Sequence, residues 1–134
     1  MSTSIYYVDA FTDKLFSGNP AAVIFSQIKD EQLMQKIAAE NNLSETAFIR
    51  EENGIFHIRW FAPLCEIDLC GHATLASAYI FFKYIKPESS MFEVQSLKNG
   101  ILKVTKKNNL LVLDFPKDSL SQYNEFSLIE EIIN

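Results

Sequence analysis

Residues 73–85 constrain the fold of this chain more than any other segment. Their apolar side chains are not confined to one stripe but cover nearly the whole circumference of a helix, which Pro87 ends. A helix that is apolar all round is one that other structure surrounds. It is also too short to cross a bilayer, which takes about 20 residues. The segment therefore predicts a buried helix in the centre of a domain.

The segments on either side of this helix have the β-branched and aromatic content of strands. They predict strands at residues 5–11, 21–25, 46–50, 55–61, 91–97, 101–105 and 110–115. A second helix is expected to begin after an N-cap at Asp30 and to stop at Asn41-Asn42. Hairpin turns join several of the strands. The predicted fold class is therefore α+β, with an antiparallel-rich sheet curled around one central buried helix.

Composition narrows the class of protein. A chain of 134 residues with 48% apolar and 22% charged residues predicts one folded domain. The net charge of −5 and the scattered basic residues argue against nucleic acid as a partner, and we expect no membrane span. The N-terminus lacks the pattern of a secretory signal, so we expect a cytoplasmic, reducing compartment for Cys65 and Cys70. Two cysteines and two histidines at such different spacings predict no metal site.

Two short motifs carry the candidate chemistry. The first, at residues 43–48, places Glu45 where a helix gives way to a strand, and the second, at residues 69–74, is a glycine turn that opens a helix. The free N–H groups of Gly71, His72 and Ala73 would suit an anion such as a carboxylate. From spacing alone, an exposed glutamate and a structural glycine-histidine cap are the simpler interpretations.

Five motifs in order resemble a known family. They are Val8-Asp9-Ala10-Phe11-Thr12, residues 16–23 around Gly18-Asn19-Pro20, Asn42-Leu43-Ser44-Glu45-Thr46-Ala47-Phe48, residues 68–76 around Gly71-His72-Ala73-Thr74, and Asp114-Phe115-Pro116. Together they resemble the N-terminal half of a phenazine biosynthesis PhzF-like protein, of the diaminopimelate epimerase-like superfamily. The likeness extends over about residues 5–116.

This resemblance implies a fold, an activity and a site. Such proteins have two similar barrel-like domains with the active site between them, and they isomerise a small carboxylate-bearing molecule without metal or organic cofactor. It implies that Glu45 is the general acid/base and that His72 binds substrate with Gly71 and Ala73. Asn19 and Ser44 would border the same cleft. The residues themselves equally permit Asn19 to be a plain turn residue, and they also permit Ser44 simply to cap the local backbone.

Two other functions stay open. A thiol at a helix N-terminus is expected to have a lowered pKa, so Cys70 could serve a cysteine-based amino-acid racemase or epimerase. Cys65 is expected to be a buried packing thiol. The second alternative is a non-catalytic module that binds a small molecule without turnover.

The length of the chain raises the last expectation. We expect residues 1–118 to form the PhzF-like N-terminal domain and residues 119–134 to be a linker, or the start of a second domain. An amphipathic pattern at residues 126–133 predicts a short helix there. The opposite cleft wall of such proteins comes from their second domain, so isomerase activity requires that the cleft be completed. A two-fold homodimer is the expected way for this half to complete it.

Overall fold

The computed structural model describes residues 3–10 and 18–115. Within these residues it has two helices, α1 (Glu31–Asn41) and α2 (Gly71–Ile80), and α2 continues as a π-helical turn at Phe81–Ile85. The strands are β1 (Ile5–Ala10), β2 (Asn19–Phe25), β3 (Glu45–Glu52), β4 (Ile55–Phe61), β5 (Glu66–Ile67), β6 (Met91–Gln95), β7 (Ile101–Lys107) and β8 (Leu110–Asp114). The fold class is α+β, with one mixed sheet.

The described strands follow the order β1-β2-β3-β4-β6-β7-β8 across the sheet, and β5 pairs with β4. Neighbours run antiparallel except β2 with β3 and β4 with β6. The register pairs Ala10 with Asn19, Ala21 with Glu45, and Thr46 with Phe61. The end of β1, the starts of β2 and β3, and the end of β4 therefore lie at one end of the sheet. This sheet end carries the candidate site.

The main core forms around α2. Residues 73–78 and Ile80 of α2 are buried, and the helix contacts β1, β2, β3 and also β8 at the far side of the sheet. Side chains alternate along the strands, so Ala47 and Ile49 of β3 join this core while Phe48 faces the other side. There Phe48 packs in a second, smaller cluster with Met34 and Ala38 of α1.

Local rules explain the ends of α1 and the hairpin between β3 and β4. Asp30 is confirmed as the N-cap, since its Oδ1 accepts from the Gln32 N–H at 2.9 Å. Asn42 closes the helix with a left-handed φ of 52°. In the hairpin, Asn53 and Gly54 both have positive φ, at 53° and 80°, as a two-residue turn requires.

Three details differ from the sequence-based predictions. The second strand begins at Asn19, not Ala21, so Asn19 and Pro20 pair with Ala10 and Asp9 of β1 and do not form a turn. Strand β5 was not predicted; two residues carry no periodicity that a sequence pattern could show. Cys65, expected to be buried, is exposed in the connection that follows β4.

Some predictions fall on residues beyond those described. Phe11, the expected last residue of the first strand, and residues 119–134, the expected linker with its short helix, lie outside the described residues. In the part of the chain that is described, no helix has the length and apolar character needed to cross a membrane.

Candidate active site

Glu45 and His72 meet at the end of the sheet where β3 and α2 begin. Glu45 is the first residue of β3, and His72 is the second residue of α2. Glu45 Oε1 lies 2.8 Å from His72 Nε2, and the two side chains are only 16% and 11% exposed. A carboxylate and an imidazole therefore face each other in a shielded position that still reaches solvent. Such a pair can exchange a proton with a bound molecule.

His72 has further neighbours that fix its ring. Its Nδ1 lies 3.4 Å from Cys70 Sγ, and the ring also hydrogen-bonds the backbone carbonyl of Pro20 in β2. Burial lowers the pKa of His72, and this outweighs the opposing effects of the Glu45 carboxylate and the Pro20 carbonyl. His72 is therefore a neutral imidazole at neutral pH, able to donate or accept one hydrogen bond at each nitrogen.

The first N–H groups of α2 have no capping oxygen, and those of His72 and Ala73 interact with the Cys70 sulfur. Cys70 occupies the N-cap position with an extended backbone and makes no side-chain capping hydrogen bond. The N–H groups of the first turn, from Gly71, His72 and Ala73, have no carbonyl within their own helix. Together with the positive end of the helix dipole they form a site suited to a carboxylate.

Gly71 is required here for lack of space. A Cβ at this position would lie 2.9 Å from Cζ and 3.2 Å from Cε2 of the Phe115 ring, which packs against the turn. Glycine therefore allows the Phe115 ring to approach the backbone of this turn closely.

Trp60 and Thr74 stabilise this turn through two hydrogen bonds, a role that no sequence motif predicted. The buried Thr74 Oγ1 donates to the Cys70 carbonyl at 2.6 Å and accepts from Trp60 Nε1 at 3.1 Å. A hydroxyl four residues after a carbonyl in a helix start is a signal that sequence reasoning could have used. Its indole partner comes from β4 and is visible only in the fold.

Cys70 is not the reactive thiol that the cysteine-based alternative needs. Burial raises the pKa of Cys70 to about 12, with a smaller contribution from the nearby Glu45 carboxylate. The expectation of a lowered pKa at a helix N-terminus was wrong, because desolvation by the surrounding core exceeds the stabilisation from backbone N–H groups. The structure therefore disfavours Cys70 as a base.

The remaining candidates lie at the same sheet end. Asn19 is the first residue of β2 and is half-buried, and Ser44 directly precedes Glu45 and is exposed. Asn41, at the end of α1, donates through Nδ2 to Thr46 Oγ1 at 3.1 Å, which braces the residue that follows Glu45. The structure thus brings Glu45 and His72 into direct contact and places Asn19 and Ser44 at the margin.

One grouping was not expected from the sequence. Single donor atoms of Glu45, Cys70 and His72 all lie within 4.8 Å of one another. The spacing argument compared cysteines and histidines alone and so missed the carboxylate, which comes from a different element.

Comparison with known proteins gives this geometry a family. The model of the PhzC-PhzF family, described as phenazine biosynthesis-like protein, matches residues 8–130. The chain belongs to this phenazine biosynthesis-like family, as the five motifs predicted.

Named relatives agree with that assignment. The chain is 44% identical over 127 residues to an uncharacterized isomerase of Halalkalibacterium halodurans, covering 94% of this chain and 48% of the relative. It is 48% identical over 125 residues to a phenazine biosynthesis-like domain-containing protein of Bos taurus, covering 87% of this chain and 43% of the relative. The chain spans about half the length of the curated relatives it matches.

Solved structures show the same architecture. A PhzF family protein of Enterococcus faecalis matches with a TM-score of 0.80 and 48% identity over 84% of this chain and 44% of that one. A predicted epimerase of Pseudomonas aeruginosa matches with a TM-score of 0.69 at 20% identity, which shows a common fold.

Proposed function

We propose that this chain carries the proton-transfer half of a PhzF-like isomerase site, acting without an organic cofactor or metal on a small carboxylate-bearing molecule. The observation that carries the proposal is the 2.8 Å contact between Glu45 Oε1 and His72 Nε2 at the start of α2. The family and the names of its relatives as isomerases support it.

Glu45 is the proposed general acid/base. Its carboxylate takes a proton from one substrate carbon and returns it to another, so the reaction is an isomerisation with no net change in atoms. The carboxyl group is shielded but still 16% exposed, so the proton that it holds can exchange with water before it is returned to the substrate. His72, neutral at pH 7, positions the carboxylate and hydrogen-bonds the substrate.

The start of α2 is the proposed substrate anchor. The N–H groups of Gly71, His72 and Ala73 would hold the substrate carboxylate within reach of Glu45, with Asn19 and Ser44 at the border of the cleft. Holding both reactants in one geometry supplies much of the rate enhancement expected of such a site.

We also propose a wider architecture in which the sheet curls around α2, as in diaminopimelate epimerase-like domains. The contacts of α2 with β1–β3 and with β8 support it. We propose residues 1–118 as the domain and residues 119–134 as a connection. The second cleft wall would come from a second domain or, for this chain alone, from a second copy in a homodimer. Two free thiols and the acidic charge suit a cytoplasmic protein with no nucleic-acid partner.

Exchange of substrate protons with deuterium tests the catalytic role. The chain is incubated in D2O with a panel of small cyclic hydroxy acids and amino acids, and deuterium uptake is followed by NMR. Glu45→Gln should abolish uptake, whereas Glu40→Gln, a matched change at an exposed position of α1, should leave it intact.

Two outcomes would contradict the proposal. Uptake that survives Glu45→Gln but is lost in Cys70→Ser would favour the cysteine-based racemase. Ligand binding without uptake in any variant would favour a non-catalytic binding module.

Light scattering at micromolar concentration tests the dimer. A homodimer that completes the cleft should lose affinity when Ser44 is replaced by arginine at the cleft margin, whereas arginine at exposed Glu88, beyond the far end of α2, should have no effect. A monomer, or a dimer insensitive to Ser44→Arg, would contradict this arrangement.

A further inference from the structure

We propose that Glu45, Cys70 and His72 form a binding site for a zinc-class divalent cation, and that the bound cation blocks proton transfer at Glu45. The inference goes beyond the proposed isomerase function, and its test does not require turnover.

The three side chains are already close to the size of a metal site. Their donor atoms lie within 4.8 Å of one another, with 2.8 Å between Glu45 Oε1 and His72 Nε2 and 3.4 Å between Cys70 Sγ and His72 Nδ1. Ligand bonds of about 2.0–2.3 Å place the donors of a tetrahedral zinc ion roughly 3.3–3.8 Å apart. Because only one imidazole nitrogen can face the cation, the ring must turn so that the longest donor separation closes by about 1 Å, while the 2.8 Å separation of Glu45 and His72 opens by about 0.5 Å.

The backbone holds these donors in place. Cys70 and His72 flank Gly71 at the start of α2, and the Thr74 hydroxyl holds the Cys70 carbonyl at 2.6 Å. Glu45 begins β3, whose register with β2 and β4 is continuous. Two donors come from one turn and the third from a neighbouring strand, an arrangement that needs only side-chain movement to bind an ion.

The chemistry of the donors selects the class of cation. Sulfur, imidazole nitrogen and carboxylate oxygen together suit zinc and related borderline-soft ions, whereas magnesium and calcium prefer oxygen alone. On binding, the Cys70 thiol releases its proton to solvent as the sulfur–metal bond forms. The thiolate and the carboxylate then balance the two positive charges of the cation, and water takes the fourth position.

Binding would have a direct consequence for the site. The cation occupies the carboxylate and the imidazole that the proposed proton transfer uses, so zinc should act as a reversible inhibitor that a chelator removes. The site would then respond to free zinc while needing none for its reaction.

Titration of the whole chain with Co²⁺ under reducing conditions tests the site, because a thiolate ligand gives a near-ultraviolet charge-transfer band. We expect the band in the unchanged chain and in Cys65→Ser, and we expect Zn²⁺ to displace it. Cys70→Ser should lose the band. Loss of a residue that only supports a metal ligand lowers metal affinity about 10–100-fold, so loss of the Cys70 ligand itself should lower zinc affinity by at least that factor. Glu45→Gln should also weaken zinc binding.

The matched pair of cysteines makes the result decisive. A band that persists in Cys70→Ser and disappears in Cys65→Ser would place the cation on the exposed thiol and overturn the proposal. Absence of saturable binding in the unchanged chain would also overturn it. Circular dichroism and a second variant, Cys70→Ala, establish that loss of the band reflects loss of the ligand in a folded chain.

Discussion

The two helices of this molecule are built in opposite ways. Helix α1 lies on the outer face of the sheet, capped by Asp30 at its start and by left-handed Asn42 at its end, and its Leu33 is 43% exposed. Helix α2 is buried over nearly its whole length, and Cys70 offers its first turn no side-chain cap. Local hydrogen bonds therefore define α1, whereas packing against the sheet defines α2.

Because of this difference, the stability of α2 does not depend on the N–H groups that could bind a ligand. A side chain that caps a helix occupies the N–H groups that an anion would otherwise bind. Because packing against the sheet already stabilises α2, its first turn needs no capping oxygen at the end where Glu45 and His72 meet.

The largest effect should come from shortening a leucine in each helix. Leu75→Ala in α2 removes a fully buried side chain and should cost about 2–5 kcal/mol in the free energy of unfolding. Leu33→Ala in α1, at a partly exposed position, should cost no more than about 1 kcal/mol. Urea denaturation measures both. Equal losses would show that α2 is not the helix that the core depends on.

Gly71→Ala should have the next largest effect. The new Cβ would lie 2.9 Å from the Phe115 ring, and such overpacking typically costs about 1–3 kcal/mol. The displaced turn should also weaken binding of a carboxylate ligand.

The double variant Gly71→Ala with Phe115→Leu should recover part of the lost stability, because it relieves the contact with the ring. If Gly71→Ala alone is more stable than the unchanged chain, helix propensity dominates and the close approach of Phe115 is unimportant.

Asp30→Ala tests the local definition of α1. It removes the oxygen that accepts from Gln32 N–H at 2.9 Å and from Leu33 N–H at 3.4 Å, and should cost about 1 kcal/mol in unfolding free energy. Asp30→Ser retains a capping oxygen and should restore most of it. A loss of carboxylate binding in Asp30→Ala would mean that the two helices are not independent.

The smallest effect concerns pH. Burial lowers the pKa of His72 in the folded chain, whereas in the unfolded chain the imidazole keeps the ordinary histidine pKa of about 6.5. As the pH falls below that value, the unfolded chain binds a proton at His72 before the folded chain does, which favours unfolding. The contribution of His72 is therefore complete above that pH and declines as the pH falls toward the lowered folded pKa.

His72→Gln should reduce the loss of stability between pH 7 and about pH 5.5, measured as the change in urea midpoint. His57→Gln changes the other histidine of the chain, and this variant should lose as much stability over that pH range as the unchanged chain does. An identical pH dependence in His72→Gln and the unchanged chain would contradict the lowered pKa.

Sequence reasoning succeeded where local rules suffice. Asp30 and Asn42 follow from the conformations that these residues favour at the ends of a helix, and the β-branched and aromatic content of residues 55–61 predicted strand β4. Motifs identified the family and singled out Glu45 and His72, whose catalytic and binding roles remain predictions.

What could not be predicted depends on contacts between distant segments. The pKa of Cys70 is raised because the fold buries the thiol, and no property of residues 69–74 shows that burial. To predict that Cys70 and Glu45 lie close together, one would likewise need to know the register of β2, β3 and β4. Cys65 was misplaced because an apolar side chain says little about exposure in a connection between strands.

The parallel pairing of β2 with β3 also bears on how the chain folds. Pro20 and Glu45 reach the same sheet end only after α1 has carried the chain back across the sheet, and His72 arrives after a further hairpin. Contacts between segments so far apart in sequence form slowly, since each requires closure of a long loop. The hydrogen bond between His72 and the Pro20 carbonyl closes the longest of these loops and should therefore form late during refolding, so that appearance of ligand binding would mark completion of the native state.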